Sequence, residues 1–368
     1  MKGWLLFILE RMLLLNKRLL ALLFIVSTVS IATTLSCSDN NTAVSTDSEN
    51  KPASNSASVN VEHFYVVTTV SPITSIVENI GGNRILLEGI VPEGTNSHTF
   101  EPAPSVAKLM SQADLIILNG LYLEEPSLQM AKANSKPDAL ILSLGDKAIS
   151  PEEWVYDFSF PESDGHPNPH LWTNPILALK YAELITQALT DLDPVNASYF
   201  QRNLDRFEVR IYDLDERIRT AVETIPNNNR KLLTYHDSFP FFGPRYGLEI
   251  IGAVQPSDFR EPSAKEVARL IDQVRETSVP AIFGSDVFPS PIMEQIAKEG
   301  GSKFIDQLRD DDLPGGPGDE GHSYLGLMAS NIEIMVPALG GNADATVSYT
   351  HLRAHETRHD LVCRLLLE

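Results

Sequence analysis

Cysteine is nearly absent from this chain. Cys37 and Cys363 are the two present in 368 residues, and such a pair offers no disulfide framework. Basic residues are also scarce: 29 Lys and Arg stand against 49 Asp and Glu, a formal net charge of −20. That balance argues against nucleic acid and against an anionic membrane surface as partners. It suits cation capture, and it equally serves solubility. A long membrane-spanning run is missing too. The apolar stretch Leu19–Ile31 covers about a dozen residues, short of the ~20 that a spanning helix needs. What remains is ordinary for a globular protein, with 43% apolar and 21% charged residues and a length that suggests about two domains.

The apolar stretch follows Lys17 and Arg18 and leads into small residues up to Ser36. A positive start, an apolar centre and a small-residue exit describe an export signal over residues 1–36, with Met12 offering a more typical start than Met1. Cys37 follows Ser36 as in a bacterial lipobox, although Thr34 holds the place where Leu is usual and Leu35 comes one position late. Cys37 is therefore the candidate lipidation site of an extracytoplasmic protein, either membrane-anchored or free in the periplasm. Residues 37–60 are polar and small, and are expected to form a disordered tether.

From residue 64 onward short apolar runs alternate with amphipathic stretches. Strands are expected at 64–70, 85–91, 115–120, 139–144, 231–236, 248–254, 280–285 and 303–306, with helical stretches between them. This alternation implies an α/β fold built from βαβ units with mostly parallel sheets. The helix after residue 72 stops at Gly81-Gly82, and Ser263 with Glu266 forms a capping box for another. Residues 194–225 carry Leu204, Phe207, Ile211, Leu214, Ile218, Ala221 and Ile225 at helical spacing. At about thirty residues such a helix spans roughly 45 Å, long enough to cross two lobes. The segments "EPAPSVAKLMSQADLIIL" and "EPSAKEVARLIDQVRETSVPAIF" echo each other weakly and hint at two similar lobes.

Four candidate ligands, each about seventy residues from the next, stand beside Pro- or Gly-marked turns: His98, His170, His236 and Asp306. Imidazole nitrogens and a carboxylate oxygen suit zinc and similar divalent ions. Ligands in open parallel sheets bind beyond the C-terminal strand ends. His236 follows "KLLTY", Asp306 follows "KFI", and His98 lies a short loop past "ILLEGIV". Pro167 and Pro169 stiffen the approach to His170. Taken singly, each histidine also reads as a solvated or hydrogen-bonded side chain, and Asp306 as a turn cap. His166 and His322 are read that way. Asp310–Asp312 could supply an alternative carboxylate, and is read as a solvated, mobile loop.

The strings "GTNSHTFEPAPSVAKLMSQADLIILNGLYLE", "NPHLWTNP", "YHDSFPFFGPRYGLEIIGAVQPSDFREPSAKEVARLI" and "AIFGSDVFPSPIMEQIAKEGGSKFID" run in order through residues 61–341. They resemble the cluster A-I solute-binding proteins of ABC importers, the extracytoplasmic components that bind zinc or manganese. The resemblance implies two (β/α) lobes, here 61–193 and 226–342, joined by a long rigid connecting helix at 194–225, with the ion between them. It matches the ligand positions to His98, His170, His236 and Asp306. It also implies a membrane permease as partner, and a monomer is expected. Members that favour manganese often carry Glu where this chain has His236, so imidazole there favours Zn²⁺, with Mn²⁺ next. The long His-rich loop of many zinc members is missing, since the corresponding stretch offers His166 alone.

Residues His355, Glu356 and His359 fit the H-E-x-x-H zinc-protease motif. They lie in residues 343–368, a basic, His-rich segment unlike the acidic body, which departs from the family pattern and resembles translated adapter sequence. That segment is read as a non-native tail and Cys363 receives no role. The rival readings are a zinc metalloprotease built on this motif and an adhesin-like surface lipoprotein with a structural metal. The favoured reading is metal capture without catalysis.

Overall fold

Residues 63–256, 259–285 and 291–342 are described by a computed structural model. The chain separates after Asn60 into two units, and all described residues belong to the second. The export signal, the tether, Cys37, Cys363 and the H-E-x-x-H motif lie outside the described residues.

Strands β1 (Phe64–Thr68), β2 (Ile85–Gly89), β3 (Leu115–Leu118) and β4 (Leu140–Ser143) form one sheet in the order β2-β1-β3-β4. Strands β5 (Lys231–Thr234), β6 (Glu249–Ala253), β7 (Ala281–Ser285) and β8 (Lys303–Leu308) form a second in the order β6-β5-β7-β8. Every pairing is parallel. The two sheets therefore share one topology, and the α/β two-lobe expectation holds. The sequence echo has a structural counterpart: its two halves are the helix–strand units that lead into the third strand of each sheet.

In the first lobe the connections are α1 (Ser71–Gly81), α2 (Pro104–Gln112), α3 (Glu125–Asn134) and the single turn α4 (Gly145–Ala148). Helix α1 ends where predicted, at Gly82, whose φ of 50° favours a residue without a Cβ. Helix α5 (Pro175–Leu192) is capped by the Asn174 side chain on Ile176 N at 3.0 Å. Helix α6 (Ala197–Glu223) has 27 residues, about 40 Å at 1.5 Å per residue. In the second lobe α7 (Gly243–Tyr246), α8 (Ala264–Thr277) and α9 (Pro291–Gly300) link the strands, and α10 (Tyr324–Ala338) closes the described chain. The Ser263–Glu266 capping box on α8 is present.

Helix α6 buries Phe207, Ile211, Leu214, Ile218 and Ala221 of the stripe read from the sequence, with Phe200 beside them, while Leu204 is half-buried. Burying each large apolar side chain contributes about 1.5–3 kcal/mol, so the stripe fixes the helix firmly. It touches both lobes. Asn203 Nδ2 donates to Ile80 O of α1 at 2.8 Å, and Asp215 accepts from Arg245 Nε and Nη2 of α7 at 2.6 Å each. Helix α10 makes a second bridge, packing on α6, α1 and β8. Tyr324 N donates to Ser75 Oγ of α1 at 2.9 Å, and Asn331 clasps the backbone of Arg309 just past β8.

Candidate metal centre

Three of the four sequence candidates meet. The Nε2 atoms of His98, His170 and His236 lie 3.2, 3.1 and 2.9 Å apart pairwise. His98 comes from the loop after β2, where the Asn96 side chain accepts from His98 N at 2.9 Å. His236 stands two residues past β5, with Thr234 Oγ1 donating to its carbonyl at 2.6 Å. The Pro-flanked loop of His170 is held by Asn119, whose Nδ2 donates to Pro169 O at 3.0 Å and whose Oδ1 accepts from Tyr181 OH at 2.7 Å. Glu124 anchors this corner in turn, accepting from Thr69 Oγ1, Asn119 N and Gly120 N.

The remote ring nitrogens fix which face of each imidazole meets the others. His170 Nδ1 lies 2.7 Å from Asn168 Oδ1, and His236 Nδ1 lies 2.7 Å from Gln255 Oε1. Asn168 Nδ2 is committed as a donor to Asp237 O at 2.6 Å, so its Oδ1 must accept. With Nδ1–H donating, Nε2 carries a lone pair toward the cluster. Nitrogen lone pairs converging within 3.2 Å repel one another unless a proton or a cation sits among them. Burial and the neighbouring imidazoles disfavour an added proton, holding His98 and His170 well below the usual histidine range and so in the neutral form that ligates a metal. The donor set therefore fits a metal ion.

The predicted fourth ligand, Asp306, is not among them. Strand β8 runs to Leu308, and its register against β7 slips between Phe283 and Ser285. Asp306 and Gln307 thus lie opposite Gly284 in a bulge, and the Asp306 side chain is exposed. The strand end lies two residues further on than the sequence suggested, at Leu308. The carboxylates beyond it are Asp310 and Asp311, an oxygen of each lying within 4.8 Å of a His170 ring nitrogen. Asp310 Oδ2 lies 3.9 Å from His236 Nε2.

The acidic run is therefore no solvated loop. Asp310 and Asp311 are each 3% exposed and Asp312 is 9% exposed. Asp311 Oδ2 accepts from Ser97 Oγ at 2.5 Å, and Asp312 Oδ2 from Gly94 N at 2.7 Å, so the run grips the loop that carries His98. Trp172 Nε1 donates to Asp310 O at 2.8 Å. Asp311 Oδ1 is buried without a hydrogen-bond partner, an orphan that a bound cation would satisfy. Burial and the charge of Asp310 push the Asp311 carboxyl well above its ordinary range, and a cation would reverse that.

Around the cluster, His98 stacks on Phe259 with centroids 4.7 Å apart, and Phe160 packs at 5.5 Å. A cavity of ≈ 210 Å³ beside them is lined by Tyr122, Asp164 and His166 among others. His166 stacks on Tyr122 and His322 meets Glu93 Oε1 at 3.3 Å, so neither joins the cluster. Asn168, Gln255 and Ser97 were not singled out from the sequence. Asn168 between two prolines beside His170 was a usable signal, and Gln255 had none beyond following β6.

Residues 66–338 match the profile of the family described as zinc-uptake complex component A, periplasmic. The manganese-binding lipoprotein MntA of Halalkalibacterium halodurans is 28% identical over 278 residues, 76% of this chain and 89% of that protein. The iron-binding protein YfeA of Yersinia pestis is 27% identical over 288 residues, 78% of this chain and 90% of that one. Among solved structures, the periplasmic zinc-binding protein TroA of Treponema pallidum superposes with a TM-score of 0.69 at 25% identity, over 76% of this chain and 99% of that chain. With the shared sheet topology and the converging histidines, this extended match makes the chain a member of the periplasmic zinc-uptake component A family.

Proposed function

We propose that this chain captures a divalent transition-metal ion outside the cytoplasm, between its two lobes, and delivers it to the permease of an ABC importer. The observation that carries the reading is the convergence of the three imidazole Nε2 atoms, with the buried carboxylates of Asp310 and Asp311 grouped around one of them, His170. His98, His170 and His236 bind through Nε2, and Asp311 replaces Asp306 as the carboxylate donor. The relatives carry names for manganese, iron and zinc. Imidazoles lean toward zinc, whereas each carboxylate adds affinity for manganese. Capture needs no turnover, and each Nδ1 partner serves to orient a ligand rather than to activate water.

Both α6 and α10 touch the two lobes, which supports small lobe movements with release through the loops that carry the ligands. The family description places its members in the periplasm, and Cys37 is the proposed lipid attachment point.

The test is elemental analysis of the purified chain with His98→Ala, His236→Ala and Asp311→Ala variants. One ion per chain, lost or greatly weakened in all three and retained in Asp306→Ala, is the expected result. Full metal content in the histidine variants would overturn the reading.

A further inference from the structure

His98 stands nine residues beyond the end of β2, whereas His236 stands two beyond β5. So long a loop needs support from outside its own sheet, and the second lobe supplies it at three points. Asp311 Oδ2 accepts from Ser97 Oγ, and Asp312 Oδ2 accepts from Gly94 N. The third point differs in kind: His322 Nε2 lies 3.3 Å from Glu93 Oε1. Glu93 stands at the outer end of this row, five residues before His98.

Both ring nitrogens of His322 face acceptors. Nδ1 lies 3.3 Å from Pro314 O, and Nε2 faces the Glu93 carboxylate. A neutral imidazole has one N–H, so it donates to one of the two and turns a lone pair on the other. The imidazolium donates to both, and its charge also pairs with Glu93. The backbone here is fixed: His322 N donates to Asp319 O at 3.1 Å, and the next residue, Ser323, caps α10 by accepting from Gly326 N at 3.1 Å. Asp319 and Glu320 are the acids of the same loop, and Asp319 Oδ2 is engaged by Gly316 N at 2.9 Å. Toward α1 the contact is neutral, Tyr324 N on Ser75 Oγ. The His322 side chain is 15% exposed and that of Glu93 35%, so water screens the pair in part.

We propose that His322 is a positioning residue for His98: when protonated it clasps Glu93 to the segment 313–322, and so holds the His98 loop against the second lobe. This rests on the metal-capture reading above. Histidine changes charge between about pH 5 and 8, so the clasp is closed at the acid end of that range and open at the alkaline end. It therefore opposes the loss of affinity that acid causes by protonating the ligands themselves. The clasp retains the ion where bare imidazole chemistry would let it go.

The experiment follows release of the bound ion, Zn²⁺ or Mn²⁺, from the full chain into excess chelator at about pH 5.5 and about pH 8.5. It compares wild type, Glu93→Gln, His322→Gln and the double variant. Ligand protonation is common to all four, so the ratio to wild type isolates the clasp. Expected at the acid pH is release about two- to fivefold faster in each single variant, the range of a partly screened ion pair. The double variant should be no faster than either single one. At the alkaline pH all four should release alike. Equal rates at the acid pH overturn the proposal. So does an excess that persists unchanged at the alkaline pH, since a contact that merely stabilises the fold does not depend on that proton. A double-mutant cycle on urea unfolding of the metal-free chain reads the clasp independently. It should show a coupling of about two- to fivefold in the unfolding constant at the acid pH and none at the alkaline one. A wild-type chain that takes up no ion overturns metal capture instead, and the coupling then decides the clasp, which zero coupling at the acid pH overturns.

Discussion

Asn168 offers a sharp test of how the site is held. Its side chain serves three buried groups: Oδ1 accepts from His170 N at 3.1 Å and from His170 Nδ1 at 2.7 Å, and Nδ2 donates to Asp237 O at 2.6 Å. It thus ties a histidine of the first lobe to the backbone beside His236 of the second. Asn168→Ala orphans all three, and each buried group left unpaired costs about 1–3 kcal/mol. Allowing for a water in the vacated space, the net loss of stability should be about 3–5 kcal/mol. Without its Nδ1 partner, His170 is free to turn or change tautomer, so metal affinity should fall about 10- to 100-fold. Urea unfolding and chelator competition give the two magnitudes. Imidazole ¹⁵N shifts of the metal-free protein report whether His170 still carries its proton on Nδ1, a signal that mere loosening of the fold would not move. Asn168→Asp restores the acceptor and should restore the tautomer but not the stability. It sets a third carboxylate against Asp157, whose own carboxyl is already pushed up to about 9 by burial and by Asp237. The argument fails if Asn168→Ala unfolds within about 0.5 kcal/mol of wild type, the range of neutral surface changes, with His170 still protonated on Nδ1.

Acid should weaken the metal-free fold through the site itself. His98 and His170 titrate well below the usual value when folded, while unfolded histidines bind protons near 6.5. Their contribution is therefore intact above about pH 6.5 and is lost as pH falls from there toward the folded values. Unfolding free energies measured across that window should fall less steeply in His98→Gln/His170→Gln than in wild type; equal slopes would count against buried neutral imidazoles. At the second bridge, a Cβ on Gly326 would lie 2.0 Å from Gly321 O, a backbone atom that cannot step aside cheaply. Gly326→Ala should destabilise by about 1–3 kcal/mol and lower the thermal midpoint, and a midpoint at the wild-type value would refute the close approach.

Much of the site was legible because its histidines sit where sequence rules point. "KLLTYH" announces a buried strand with a histidine at its end, and His236 follows β5 by two residues. The Pro-flanked His170 and the loop-borne His98 were legible by residue type and turn chemistry. Asp306 misled because β8 runs on to Leu308 through a bulge that adds one residue without changing the pattern of "KFIDQL". Asp310–Asp312 misled in the other direction, since three adjacent acids read as solvated. Their burial depends on Ser97 and Gly94, more than two hundred residues earlier in the chain.

By itself the sequence determined the local elements, because strand alternation, the α6 stripe and the Ser263 cap are short-range properties of neighbouring residues. It also determined the chemistry on offer, imidazole and carboxylate on stiff turns beyond strand ends. Which carboxylates lie near the histidines was decided by the tertiary structure alone. The register of β8 against β7, the grip of Asn331 on Arg309 and the donation of Ser97 to Asp311 are long-range contacts. Their energies exist only once two lobes have packed around one pair of bridging helices.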